Sequence, residues 1–375
     1  MAVDGFKAGL EDVVANTSEI CYIDGHEGRL VYRGYNVADL AETTRFEEVV
    51  YLLWKGDLPN SGQLDKFKQE IAEASQLNPS VKALLSSLPG DAHPMDALRT
   101  AVSLAGVYDP DGNAMNPEAN HRKAVRLVAQ VPAMVAAFDR IRHGKTPIDP
   151  DPSLSIPENF LYMLHGEKPK DLHAQVFNTA LILHADHELN ASTFSARVTA
   201  GTLSDIYSAI TSAIGTLKGP LHGGANEQVM YMLEKIGTVE NAKPWIEHAL
   251  AHKEKIMGFG HRVYRTEDPR AVILRRLSKD VGEDARDLRW YHMLNEVREA
   301  IMSSKKLYPN VDLYSGSVYA QMGIPTDIFT PVFAVSRVAG WTAHVLEQYQ
   351  NNRLIRPRAE YTGATHRDFV PLARR

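Results

Sequence analysis

Several features that would mark a specialised class are scarce in this 375-residue sequence. It has one cysteine, Cys21, so neither an internal disulfide nor a cysteine-based zinc site can form, and a reducing compartment suits it. Neither sign of charge dominates. The 41 Lys and Arg against 46 Asp and Glu give a net charge of −5, too mild for a nucleic-acid coat or an acidic solvating tail. Long apolar runs are missing as well: the longest, 127–138, is interrupted by Gln130 and Pro132 and is too short to span a bilayer. The first residues hold no basic stretch leading into an apolar one, so a secretory signal is not expected and the protein reads as cytoplasmic. Gly (25) and Pro (20) keep to average shares, which excludes collagen-like and disordered chains.

Apolar periodicity is abundant. Val49, Val50, Leu53 and Trp54 recur at helical spacing, as do Leu64, Phe67 and Ile71, then Leu98, Ala101, Val102 and Ala105. Ser155-Ile-Pro-Glu158 reads as a capping box with proline in the first turn, and Thr330-Pro331 opens a long helix. Strand character is confined to 20–23 and 29–33, flanking a glycine-containing loop, which predicts one hairpin. With no βα alternation and no fixed repeat, the fold class is all-α with a minor N-terminal β-hairpin. The glycine-bearing joints at 218–224 and 316–325 are the hinge candidates.

Four segments hold residue types suited to chemistry. His222 sits among Gly219, Pro220, Gly223 and Gly224 just before a helical pattern, where the dipole disfavours imidazolium and keeps a neutral donor for a developing oxyanion. A plain turn histidine is the bland alternative. The segment 258–270 opens like a dinucleotide loop, but Val263 stands where the third glycine belongs, and no βαβ unit surrounds it. Around it, 251–276 holds seven Lys and Arg against three carboxylates, a local positive patch suited to a phosphate or carboxylate ligand, or else a solvated face. No aromatic ladder points to nucleic acid. His184 and His187, three apart, would share a helical face, open to metal ligation, hydrogen bonding or simple burial; no HExxH motif or second cluster completes a metal site. Asp312, between Val311 and Leu313 and ahead of an expected turn at Ser315-Gly316, would be partly desolvated and raised toward a useful general base.

Together these segments resemble the citrate synthases. GPLHGGAN at 219–226, GFGHRVYRTEDPR at 258–270, HADHE at 184–188 and PNVDLYSG at 309–316 look like that family's site motifs, in its order. Ala92-His93-Pro94-Met95, the stretch from Ser336-Arg337 to His344, and Cys21–Gly25 with Tyr32–Tyr35 extend the likeness over nearly the whole chain, in the short bacterial and archaeal form. The resemblance implies a homodimer of two-domain subunits, with a small domain at about 222–321 and a large one from 1–221 and 322–375. It implies condensation of acetyl-CoA with oxaloacetate, needing no metal or cofactor. Asp312 would be the base, His222 the enol stabiliser and His261 the donor to the oxaloacetate carbonyl. Oxaloacetate would meet His187, Arg270, Arg337 and Arg356, the last lent by the partner subunit. CoA would lie along Lys255, Ile256, Met257, Gly258 and Phe259, with Arg265 near its phosphates. The near alternative is a 2-methylcitrate synthase using propionyl-CoA, and a metal-dependent hydrolase built on His184 and His187 is the remote one.

Overall fold

The structure, a computed structural model, describes residues 7–375, which hold sixteen α-helices and three short strands. Strands β1 (Cys21–Asp24) and β2 (Arg29–Tyr32) form the expected antiparallel hairpin. A third, β3 (Tyr35–Asn36), extends it beyond the expectation by pairing with the end of β2. Leu30 and Tyr32 face inward and are fully buried. The Tyr32 hydroxyl donates to the carbonyl of Asp186 at 2.9 Å and so ties the sheet to the helical body.

Asn36 caps α1 (Val37–Thr43), and α2 (Phe46–Lys55), α3 (Ser61–Ala74), α4 (Pro79–Ser87) and α5 (Pro94–Val107) follow. The stripes read from the sequence are the buried ones: Val49, Val50 and Leu53 on α2, Phe67 and Ile71 on α3, Leu98, Ala101 and Val102 on α5. α6 (Pro117–Arg142) packs against α3, α4 and α5, with Pro132 inside it. The capping box opens α7 (Ile156–His165): Ser155 and Glu158 each accept the other's backbone N–H. Then come α8 (Asp171–His184), α9 (Ala191–Gly201) and α10 (Ile206–Leu217).

Five helices pack largely on one another: α11 (Ala225–Ile236), α12 (Val239–Ala251), α13 (Pro269–Ala285), α14 (Arg289–Lys305) and α15 (Asp312–Gln321). α16 (Phe329–Gln350) then returns through the body, against α2, α6, α8, α9 and α10. It is buried along most of its length, as an apolar all-round sequence requires. None of the described helices is long and apolar enough to cross a membrane.

One glycine expectation is overturned. Gly316 is not in a turn but inside α15, where a Cβ would come within 2.9 Å of Met230 Cγ and 3.1 Å of the Asn226 carbonyl oxygen. Its small size lets α11 and α15 approach, so the chain breaks later, at Gly323 with φ +76°.

Candidate active site

Two loops of the five-helix group lie side by side, one before α13 and one before α15. Gly260 N–H donates to the Tyr308 carbonyl at 2.9 Å, and Asn310 N–H to that of Gly258 at 3.0 Å. Asn310 Nδ2 closes the seam on the Gly260 carbonyl at 3.0 Å. This pairing brings the loop of His261 against the segment that delivers Asp312 to the first turn of α15. Gly258, at φ +86°, has no room for a side chain against Leu313. Of the expected CoA segment, Lys255 is exposed, Gly258 is buried, and Ile256, Met257 and Phe259 are half-buried against the core. Arg265 is exposed and lines a cleft with His261, Tyr264, Lys306 and Tyr308.

The facing wall comes from α8, α9 and α16. α8 ends at His184, so His187 lies in the connection to α9, and the shared helical face expected for the two histidines does not exist. His184 Nδ1 donates to the Ala180 carbonyl at 2.8 Å, and its ring packs edge-on against Phe333. His187 is 3.3 Å from the Tyr264 hydroxyl, with its ring 5.1 Å from that of His261. Arg337 is buried in α16. Its Nε donates to the His184 carbonyl at 2.7 Å, its guanidinium lies over Phe333, and no described carboxylate pairs with it. Arg270 differs: buried Asp268 holds it by two bonds of 3.0 and 2.7 Å. Arg356 is not brought to this cluster within its own chain; it is exposed in the irregular segment beyond α16.

Hydrogen bonding assigns the tautomers. His222 Nε2 accepts the Ser192 backbone N–H at 3.2 Å, so its proton sits on Nδ1. The Ser192 hydroxyl, 2.8 Å from the same nitrogen, also takes the Trp341 indole N–H at 3.1 Å. His261 is the mirror case. Its Nδ1 accepts from Val263 and Tyr264 N–H at 3.0 and 3.1 Å, which leaves the proton on Nε2. Burial holds both rings down at about 4, with Arg337 adding to the effect on His222 and Arg270 on His261. Burial also pushes His187 well below its usual value. Asp312 moves the other way: desolvation lifts its carboxyl to about 7 against the pull of Arg270 and Arg337. One carboxyl poised near neutrality, two neutral imidazoles and two buried guanidiniums suit proton abstraction beside a carbonyl and binding of a dianion. Reasoning from sequence missed Ser192 and Tyr264; the only local signal at Ser192 is the capping Asn190 two residues before it.

A family model described as citrate synthase, C-terminal domain, matches residues 9–358. The chain is 56% identical to citrate synthase 2 of Bacillus subtilis over 98% of both chains. It superposes on the crystal structure of citrate synthase from Pyrobaculum aerophilum with a TM-score of 0.92 at 41% identity, covering 98% of this chain and 94% of that one. A ternary complex of Thermoplasma acidophilum citrate synthase with carboxymethyl coenzyme A and oxaloacetate matches with a TM-score of 0.91 at 35% identity, covering 98% of each. A 2-methylcitrate synthase of Corynebacterium glutamicum is 43% identical, again over 98% of both chains. The chain belongs to the citrate synthase family, enzymes that transfer an acyl group.

Proposed function

We propose that this protein condenses acetyl-CoA with oxaloacetate and hydrolyses the resulting citryl thioester to citrate and CoA. The observation that carries this reading is Asp312, a carboxyl lifted to about 7 within the field of Arg270 and Arg337. As carboxylate it removes a proton from the acetyl methyl group. His222, protonated on Nδ1, donates to the thioester oxygen as negative charge develops there, so the weakly acidic carbon is met by base and oxyanion partner together. The enol carbon attacks the oxaloacetate ketone, and His261 donates from Nε2 to the new alkoxide. Water then cleaves the thioester.

Oxaloacetate brings two carboxylates. The unpaired guanidinium of Arg337 takes one, Arg270 offers the N–H groups that Asp268 leaves free, and His187 adds a donor. CoA follows residues 255–259, with Arg265 at its phosphates. Residues 222–321 act as a small domain closing on 1–221 and 322–375, and a cytoplasmic homodimer completes each site with Arg356 of the partner subunit. The identity with a 2-methylcitrate synthase supports a second reading, in which propionyl-CoA is the acyl donor. One methylene in an apolar pocket is worth only about 1–3 kcal/mol, so the two substrates must be compared directly. CoA release from acetyl-CoA and from propionyl-CoA, each with and without oxaloacetate, is the test. Oxaloacetate-dependent release favouring acetyl-CoA supports the first reading, a preference for propionyl-CoA replaces it with the second, and release indifferent to oxaloacetate rejects both.

A further inference from the structure

We propose that the N-terminal hairpin positions the active site: through Gly25 and Gly28 its tip braces the loop that carries His261. This role rests on the function proposed above. The hairpin and the loop lie more than 230 residues apart in sequence, yet Val263, Arg265, Thr266 and Glu267 all meet the tip. The Gly25 carbonyl accepts Arg265 N–H at 2.8 Å. A Cβ on Gly25 would overlap the Val263 carbonyl oxygen and lie 2.9 Å from its carbon. A Cβ on Gly28 would lie 2.7 Å from Thr266 Cγ2 and 3.2 Å from the Glu267 carbonyl oxygen.

Both sides of this contact are anchored. Asp24 Oδ1 accepts N–H from His26 and Glu27 at 3.1 and 3.0 Å, which rigidifies the tip. From the far side, Arg298 grips Glu267 by two bonds of 3.2 and 3.0 Å. Between these anchors stand Val263 and Tyr264, whose N–H groups set the tautomer of His261, and the Tyr264 hydroxyl that meets His187. Val263 is otherwise exposed, so its contact with Gly25 is what limits its outward movement. Gly34 offers an internal contrast. It belongs to the same sheet region and has φ +94°, yet a Cβ there would meet nothing within 4 Å.

The test compares steady-state kinetics and melting temperatures of Gly28→Ala, Gly25→Ala, Thr266→Ser, the double variant Gly28→Ala/Thr266→Ser, and Gly34→Ala. Displacement of a reacting group by about 1 Å costs on the order of 100-fold in rate. Gly28→Ala and Gly25→Ala should therefore lose kcat on that scale. Thr266→Ser removes the methyl that the new Cβ strikes and leaves the Glu267 carbonyl contact, so the double variant should recover part of the loss. Gly34→Ala should lower the melting temperature while keeping kcat and both KM values. The brace is overturned if Gly28→Ala loses no more kcat than Gly34→Ala, or if Thr266→Ser restores none of it. His261→Ala in the same assay separates the two levels: its retained activity would overturn the functional reading itself, whereas an inactive His261→Ala beside a fully active Gly28→Ala overturns the brace alone.

Discussion

The wall of α8, α9 and α16 and the paired loops opposite it hold their site residues by different means. On the wall, side chains are buried on long helices and fixed by one another. Behind Arg337, Arg197 links Glu347 to His344 Nδ1 at 2.6 and 2.9 Å, and His344 Nε2 reaches Asp186 at 3.2 Å. Because Arg197 can only donate, His344 accepts at Nδ1 and donates from Nε2, so each group in the chain has one role. On the loop side, His261 in its loop and Asp312 at the first turn of α15 keep partial exposure, and backbone N–H groups or desolvation set their protonation. On the proposed function this contrast is a division of labour: Arg337 on the wall, joined by Arg270 from the start of α13, presents fixed charge for a dianion, and the loop side moves protons. Damage to the wall should appear in affinity, damage to the loops in turnover.

The largest effect should come from Asp312→Asn, which removes the proposed base. A positioned acid–base group contributes about 10²–10⁴-fold, so kcat should fall at least that far while calorimetry finds oxaloacetate affinity within about threefold of wild type. A matching loss of affinity would erase the division. Next is Arg337→Ala. Truncating one partner of a buried charge pair costs about 2–5 kcal/mol, so oxaloacetate affinity should drop on the order of 30-fold or more, and kcat at saturation far less. A pure kcat defect there would move the wall into the chemistry. Ser192→Ala sits on the boundary. It keeps the backbone N–H that fixes His222 but strands the Trp341 indole, so urea denaturation should find about 1–3 kcal/mol less stability, with kcat down only severalfold. The smallest effect, about twofold by the counting of two-fold sites, is that of a mixed dimer probing Arg356, proposed to serve the partner's site. Asp312→Ala and Arg356→Ala homodimers should each be nearly inactive, and a mixed dimer should recover about half of wild-type activity by simple counting of two sites. Mixed dimers that stay inactive would return Arg356 to its own subunit.

Local pattern made much of this molecule legible. The apolar stripes, the Ser155 capping box and the hairpin each follow from residues within a few positions of one another, where propensity and period act directly. His222, His261 and Asp312 stand out for the same reason, since glycine neighbours mark His222, glycines and local charge mark His261, and apolar neighbours mark Asp312. What escaped were contacts closed by the fold. The reach of Ser192 to His222 spans 30 residues and that of Arg337 to His184 spans 153, distances at which periodicity is silent. Two local readings also lost to tertiary context. The helix expected to carry both His184 and His187 stops at the first, where the chain turns toward α9. Gly316, read as a turn, serves helix packing, because close approach and flexibility call for the same residue.

The pH dependence of kcat/KM for acetyl-CoA at saturating oxaloacetate is the sharpest test of Asp312 as the base. A carboxyl lifted to about 7 is an effective base above that pH and is lost to protonation below it. Imidazoles held down at about 4 remain neutral throughout this range and contribute nothing to the change. A base of this kind gives a one-proton acid limb near pH 7, falling roughly tenfold per pH unit toward pH 5. A profile flat down to pH 5, or a two-proton slope through pH 6, would contradict it.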